Sequence, residues 1–343
     1  MEAYKQSIGR RKKEEIDTLI QDPFLNDFCK IIQSKAYRRL AAKTQVFSRT
    51  GDPHIRTRLA HTDEVVATSI AIADQLQLNK NLCMAIAAGH DIGHTPYGHL
   101  GEGKLAELSG KSFKHNVFGV VIAQHIERGG RGLNLTFETL DGILKSSRGP
   151  GVLFTDEGVP QEYTAVMFAD KISYTFADLN DALRYGYLQE VPAVAKGLGW
   201  DQRTRTEKVV KALVAESREK DSVSFSHGEV FVQFEELRDF MYKNVYYKID
   251  TSLHKGIVEG IYNFFSGEEF KSKYPSVDPV IATALLTDKE ADEFGNILMR
   301  MKRPSLDDIK NFGIFDIFSD FKYWKNDLSQ IDYTSPDLDW GKR

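Results

Sequence analysis

Cysteine is nearly missing from the 343 residues: Cys29 and Cys83 are the only two, both in apolar, helix-like contexts, and no CxxC occurs. That excludes a disulfide framework and a thiolate metal site, and a reducing compartment is the simplest reading. No apolar run approaches the roughly eighteen residues a membrane span needs. The N-terminal MEAYKQSIGRRKKEE has basic residues but no apolar core, so it does not read as a secretory signal, and a cytoplasmic location is expected. Internal repeats, low-complexity tracts and alternating strand ladders are missing too, and beyond residue 190 so is a glycine-rich phosphate loop. What remains reads as mostly helical.

At 41% apolar and 27% charged residues the composition is that of a soluble globular protein, long enough to bury a large core without staples. The length admits several domains or one large helical unit. The net charge of −4 is unevenly spread: residues 1–60 hold thirteen Lys and Arg against seven Asp and Glu, which leaves the remainder near −10. A basic entry segment suits a phosphate ligand, nucleotide or nucleic acid, although a solvated charged helix explains it as well.

Histidine is concentrated. Three of the nine lie in His90-Asp91-Ile92-Gly93-His94-Thr95-Pro96-Tyr97-Gly98-His99-Leu100-Gly101-Glu102, together with two carboxylates. An adjacent His-Asp pair offers one cation an imidazole nitrogen and a carboxylate oxygen, the mixed set that suits Mn, Fe, Co, Ni or Zn. Gly93, Pro96, Gly98 and Gly101 predict irregular backbone that lets His94, His99 and Glu102 point back at the cluster rather than around a helix. His54, His125, His227 and His254 have no such company.

Along the chain, KKEEIDTLIQ at 12–21 predicts a charged helix ended by Asp22-Pro23. Phe28, Ile31, Ile32 and Leu40 predict a helix over about 24–42, with Arg38, Arg39 and Lys43 at its end and Gln45 beyond. SRTGDPH at 48–54 reads as a turn. From Arg56 an apolar stripe of Leu59, Val65, Val66, Ile70, Ala73 and Leu76 predicts a helix with His61 and Glu64 off it or at its edge. A further helix over about 80–91 runs into His90-Asp91, and another over 112–128 places His115 near its start and stops at Gly129-Gly130. The Gly- and Pro-rich 146–160 reads as a loop or lid.

In the helix predicted over 161–188, Asp170, Tyr174, Asp178 and Asp181 stand at i, i+4, i+8 and i+11, which is one face. A buried row of acids needs a cation or hydroxyl ligands to satisfy it. Amphipathic runs near 204–220, 230–248, 252–266, 279–299 and 305–325 show no metal-ligand spacing and read as scaffold, oligomer interface and part of a substrate pocket.

The ordered set His61 … His90-Asp91 … Asp170 resembles the H…HD…D pattern of the HD-domain phosphohydrolases. DPFLNDFCKIIQSKAYRRLAAKTQVF, RTRLAHTDEV, AIAAGHDIGHTPYGHLGE, FKHN, GLNLTFETLDGILK and FADKISY…DLNDALRYG are similar to the dGTPase-type deoxynucleoside triphosphate triphosphohydrolases. The likeness runs from about residue 20 to 188 and resumes weakly at LRDFMYKNVY. It implies an all-α HD-domain bundle with additional C-terminal helices: a basic segment at 1–55, a phosphohydrolase core at 56–190 and a helical region at 191–343, in one continuous unit.

The resemblance also implies the chemistry: dNTPs, dGTP among them, are cleaved to deoxynucleoside and tripolyphosphate. His61, His90, Asp91 and Asp170 then hold a divalent cation, Mn2+ or Mg2+ first, with Fe, Co, Ni or Zn as alternatives. His94, His99, Glu102 and His115 take acid/base or orienting roles, with His99 the acid for the departing 5′ oxygen. Gln45, Arg58, Lys171, Tyr174 and Asp178 hold phosphates and sugar. A homo-oligomer (hexamer or tetramer) is implied, with the aromatic 230–248 segment as an interface, and an allosteric nucleotide or single-stranded DNA as a further partner. One departure stands out, Gly89 where a bulkier residue is expected before His-Asp. The alternatives are another HD-type nucleotidase or phosphodiesterase, and a non-catalytic nucleotide- or nucleic-acid-binding regulator.

Overall fold

The structure is a computed structural model and describes residues 1–13, 19–47, 54–147, 158–301, 303–320 and 331–341. Among the described residues there is no strand, only two isolated bridges, Arg10–Thr136 and Thr44–Thr57. The helices are α1 (Pro23–Ile32), α2 (Lys35–Arg39), α3 (Arg58–Leu76), α4 (Lys80–Gly89), α5 (His99–Ser109), α6 (His115–Val121), α7 (Phe137–Ser146) and α8 (Gln161–Arg184). There follow α9 (Ala193–Leu198), α10 (Gln202–Lys220), α11 (Glu229–Asn244), α12 (Ser252–Phe265), α13 (Glu268–Lys273), α14 (Pro279–Ala284), α15 (Asp288–Arg300) and α16 (Ile314–Asp320). None is long and apolar enough to cross a membrane.

Helices α3, α4 and α8 pack on one another and form the centre. Helix α4 is apolar nearly all round, and Leu82, Cys83, Ala85, Ile86, Ala87, Ala88 and Gly89 are all buried in it, as a helix sheathed on every side must be. It touches both cores. One gathers α3, α4, α8, α10 and α11; the other gathers α6, α7, α12, α14 and α15 with the α4 C-terminus. Most of the large residues of α11 point inward, with Phe234, Leu237, Arg238 and Met241 buried, while Val232 and the following Tyr247 are exposed.

Several predicted helices are shorter than their periodicity suggests. The run over 24–42 breaks at Ser34, whose hydroxyl accepts from the Tyr37 amide and opens α2 as a separate turn. The 112–128 run starts at His115 and widens into a π turn over 122–126 before Arg128, Gly129 and Gly130 take left-handed backbone. The 279–299 run splits, because Thr287 and Glu290 form a capping box that starts α15 afresh. Of the 305–325 run, a 3-10 turn at 306–309 and α16 are helical, and 321–325 lies outside the described residues. The described parts of 12–21 are not helical, and 14–18, most of the 48–54 turn and 148–157 of the expected lid also lie outside.

Residues 4–12 lie as a strap across α1, α7 and α8. Tyr4 N donates to Glu162 Oε1 (2.9 Å) and Ser7 Oγ to Glu138 Oε2 (2.8 Å), both acids being buried. The Phe137 amide donates to Gly9 O (3.0 Å), and Arg10 pairs with the buried Asp27 and donates to Asn134 O (2.6 Å) and Pro23 O (3.0 Å).

Candidate functional site

Three helix segments meet where the sequence places its chemistry. Thr57 caps α3, which puts Arg58 and His61 one turn apart on its first face. Helix α4 stops at Gly89, so His90 is its C-cap and Asp91 begins the following turns. Asp170 sits midway along α8, facing α3.

His61 Nε2 lies 3.0 Å from Asp170 Oδ1 and 4.0 Å from Asp91 Oδ2; His90 Nε2 lies 3.4 Å from Asp91 Oδ1 and 3.7 Å from Asp170 Oδ1. His90 Nδ1 is 2.6 Å from Ala87 O, an acceptor, so Nδ1 carries the proton and Nε2 presents its lone pair. That Nε2 is buried without a hydrogen-bond partner, beside two carboxylates. Buried acceptors that converge in this way need a cation, and two imidazoles with two carboxylates fit a divalent one. Asp170 is the open side of the group, with 23% of its side chain exposed against 5% or less for the other three.

A second group joins the first through Asp91. His94 Nε2 is 3.1 Å from Asp91 Oδ1, and its ring stacks on His115 with centroids 3.8 Å apart. Glu102 Oε1 lies 2.7 Å from His94 Nδ1, 3.2 Å from His99 Nδ1 and 3.1 Å from His115 Nδ1, and Glu102 Oε2 accepts from the His115 amide at 3.2 Å. His94 Nδ1, though close, is not aligned for a hydrogen bond, so His115 is the effective partner of Glu102. Burial and the nearby Arg58 hold His94 down to about 3, and the ring is neutral. Burial opposes a charge on His115 as well, but Glu102 outweighs it and the pKa rises. Between the two stacked rings a proton is therefore favoured on His115, beside Glu102, over His94. His115 Nε2 lies 2.8 Å from Ser147 Oγ.

His99 and Glu102 do not come from irregular backbone as the glycines suggested: they stand one turn apart at the start of α5. The irregular part is shorter, Gly93 to Gly98. A Cβ at Gly93 would collide with His115 O and Gly119 N, so that glycine lets the loop touch the α6 N-terminus. Gly98, at φ +57, leaves room for Arg58 Nη2. His99 is the exposed member, with 75% of its side chain in solvent.

Around the two groups, Arg58 Nη1 donates to Asp91 Oδ2 (3.0 Å) and Nη2 to Gln45 O (3.2 Å). Gln45 Oε1 is buried without a partner. Burial pulls Lys171 down to about 8 against the pull of Asp170. Tyr174 hydrogen-bonds with Tyr242 and Arg238. Tyr246 donates to Asp178 Oδ2 at 2.8 Å, and Asp178 Oδ1 is buried with no partner. Burial lifts the Asp178 carboxyl to about 7. The last acid of the row has a different setting: Asp181 is paired with Arg56 (2.8 Å), which also holds Glu64 (2.9 Å), and so it fixes α3 to α8.

Sequence reasoning passed over Lys43, Tyr246, Arg238, Tyr242 and Asp288. Lys43 Nζ donates to His94 O, and burial with Arg39 alongside brings it to about 7. For Lys43, Tyr246 and Asp288 nothing in local spacing marks the role, because the partners lie 51 to 244 positions away.

The HD domain family matches residues 58–175, which carry all four residues of the first group. The chain is 39% identical over 268 residues to a deoxyguanosinetriphosphate triphosphohydrolase-like protein of Caldanaerobacter subterraneus subsp. tengcongensis, across 76% of this chain and 77% of that protein. A like-named protein of Clostridium perfringens is 41% identical across 70% of this chain and 72% of its own length. One from Desulfatibacillum aliphaticivorans is 39% identical across 69% and 70%.

Proposed function

The chain belongs to the deoxyguanosinetriphosphate triphosphohydrolase-like family of HD-domain phosphohydrolases, and from that premise we propose that it hydrolyses dNTPs to deoxynucleoside and tripolyphosphate by water attack at the α-phosphate. The observation that carries the reading is Asp91, shared between a cation-fitting His/Asp group and a histidine–glutamate group. His61, His90, Asp91 and Asp170 would hold the divalent ion, which supplies Lewis acidity towards a phosphoryl oxygen.

The chain's own groups do the rest. His94, kept neutral, stands at the inner wall as a hydrogen-bonding and orienting group. Glu102 orients His115 through its Nδ1, and His99, with Nδ1 3.2 Å from Glu102, presents Nε2 outward as the acid for the departing 5′ oxygen. Arg58 and Lys171 offset the triphosphate charge; a polyanion beside Lys171 restores the ammonium that burial disfavours. Tyr174 packs under the deoxyribose. Asp178 Oδ1, without a partner, accepts from the 3′ hydroxyl, with Gln45 Oε1 as the second free acceptor. A site that leaves such atoms unpaired selects ligands that satisfy them.

The test is incubation with each dNTP, singly and mixed, and with GTP, in Mn2+ or Mg2+, the phosphate products being resolved by ion exchange. Tripolyphosphate from dNTPs, lost in His90→Ala, is expected. Orthophosphate or pyrophosphate in its place would make the protein a different phosphohydrolase, and ligand binding without any product would make it a regulator.

A further inference from the structure

One buried carboxylate outside both groups ties together the two chain segments that wall the site. Asp288 opens α15, far along the chain in the region the sequence marks as scaffold, and is 4% exposed. Its Oδ2 accepts from the Thr44 amide (2.9 Å) and the Thr44 hydroxyl (2.5 Å), and its Oδ1 from the Tyr97 amide (3.0 Å). Thr44 immediately precedes Gln45, and Tyr97 lies between His94 and His99.

The two segments are stitched to each other elsewhere by Lys43 Nζ on His94 O, and to α3 by the Arg58 amide on Lys43 O (2.9 Å). Tyr97 itself has φ +61, left-handed backbone that a bulky L residue rarely adopts and keeps only when its surroundings over-determine it. Locally it is the third residue of a turn closed by the Gly98 amide on Thr95 O (3.1 Å) and the Thr95 hydroxyl on Gly98 O (2.8 Å); its remaining anchors come from beyond residue 250. They are Asp288 on its amide, Asp292 accepting from its hydroxyl at 2.6 Å, and the His254 ring 4.5 Å from its own.

We propose that Asp288 is a positioning residue: from α15 it holds the Gln45 segment and the His94–His99 loop in register, so that the C-terminal helices set the geometry of the hydrolytic site. The inference rests on the triphosphohydrolase reading for its kinetic arm only. None of the four residues offered as metal ligands lies on either tied segment, so register and metal binding separate.

The experiment is Asp288→Asn in the full-length protein. The amide keeps the shape and one acceptor oxygen, but its NH2 faces one of the backbone N–H donors, so one wall is released. For dNTP hydrolysis kcat should fall about tenfold or more, the scale of a misplaced catalytic group, and KM should rise, while Mn2+ affinity by titration calorimetry stays at the wild-type value. Hydrogen exchange should accelerate in peptides covering 43–47 and 94–98 and not in α8. Thr44→Val, which removes only the hydroxyl donor, should show the same pattern in weaker form and serves if the first variant does not fold. Wild-type kinetics with unchanged exchange in the two segments would overturn the proposal. So would a parallel loss of Mn2+ affinity with faster exchange throughout α3, α4 and α8, which is the mark of a general structural role. If the wild-type protein hydrolyses no dNTP, the triphosphohydrolase reading fails, and the exchange and metal measurements still decide the positioning claim.

Discussion

Asp178 offers the sharpest electrostatic test. Its carboxyl is almost wholly buried, its Oδ2 has Tyr246 and its Oδ1 has nothing, and burial raises its pKa from 3.8 to about 7. In the unfolded chain the group ionises from 3.8 upward, whereas the folded chain keeps the proton until about 7. Between those values the folded state binds more protons than the unfolded one, so stability falls as pH rises, and the loss is complete above the folded pKa. Asp178→Asn is neutral at every pH and keeps an oxygen for Tyr246, so it escapes this loss. A tenfold difference in proton affinity between the two states corresponds to about 1.4 kcal/mol, and the variant should therefore gain roughly 2.5 kcal/mol on wild type between pH 5 and pH 8. Urea unfolding of both proteins at matched pH, with chelator present to keep cations from the neighbouring group, measures it; titrations away from this cluster cancel in the difference, while loss of the Asp178 charge also removes part of the pull that raises His61. A difference that is constant with pH, or that moves towards wild type as pH rises, would refute the assignment.

Gly89 and the strap give two further stability predictions. A Cβ at Gly89 would run into Ile143 Cδ1, with Cγ1 at 2.9 Å, so the missing side chain is replaced by an isoleucine from α7. Gly89→Ala should destabilise by about 1–3 kcal/mol from overpacking, less the ~1 kcal/mol that alanine gains in a helix, and adding Ile143→Val should restore much of the loss; strict additivity in urea unfolding would count against the packing account. Arg10→Ala leaves the buried Asp27 with only the Thr136 amide (2.8 Å) and hydroxyl (2.6 Å). It should cost about 3 kcal/mol in chemical denaturation, as breaking a buried pair does, and a cost near zero would show that Asp27 needs no counter-charge.

The site was legible where its chemistry is local. Adjacent His90-Asp91 and an acid row at helical spacing are short-range patterns, and α-helices with apolar stripes follow from the same periodicity. The helix at His99–Glu102 was hidden by its glycines, since Gly101 and Gly103 lower helix propensity in α5 and tertiary packing overrides them. The breaks at Ser34 and Thr287 were hidden for the opposite reason: side-chain caps end helices whose apolar spacing continues. Asp181 looked like part of the acid row because spacing cannot reveal that Arg56 already answers it. Asp288, Lys43 and Tyr246 were illegible because a residue's partner across the fold leaves no trace in its own neighbourhood.

The strap at residues 4–12 has a consequence in time. Tyr4 and Ser7 wait for partners 158 and 131 positions later, Glu162 and Glu138. At about 5–20 residues per second of synthesis, the segment made first spends roughly 8–30 s without its anchor on α8. During that interval the donors of Tyr4 and Ser7 stay hydrated, because Glu138 and Glu162 have not yet been made. The strap can therefore settle only after α7 and the first turn of α8 have followed α1. Folding there runs against the direction of synthesis: the first residues made find their places only when α7 and α8 arrive.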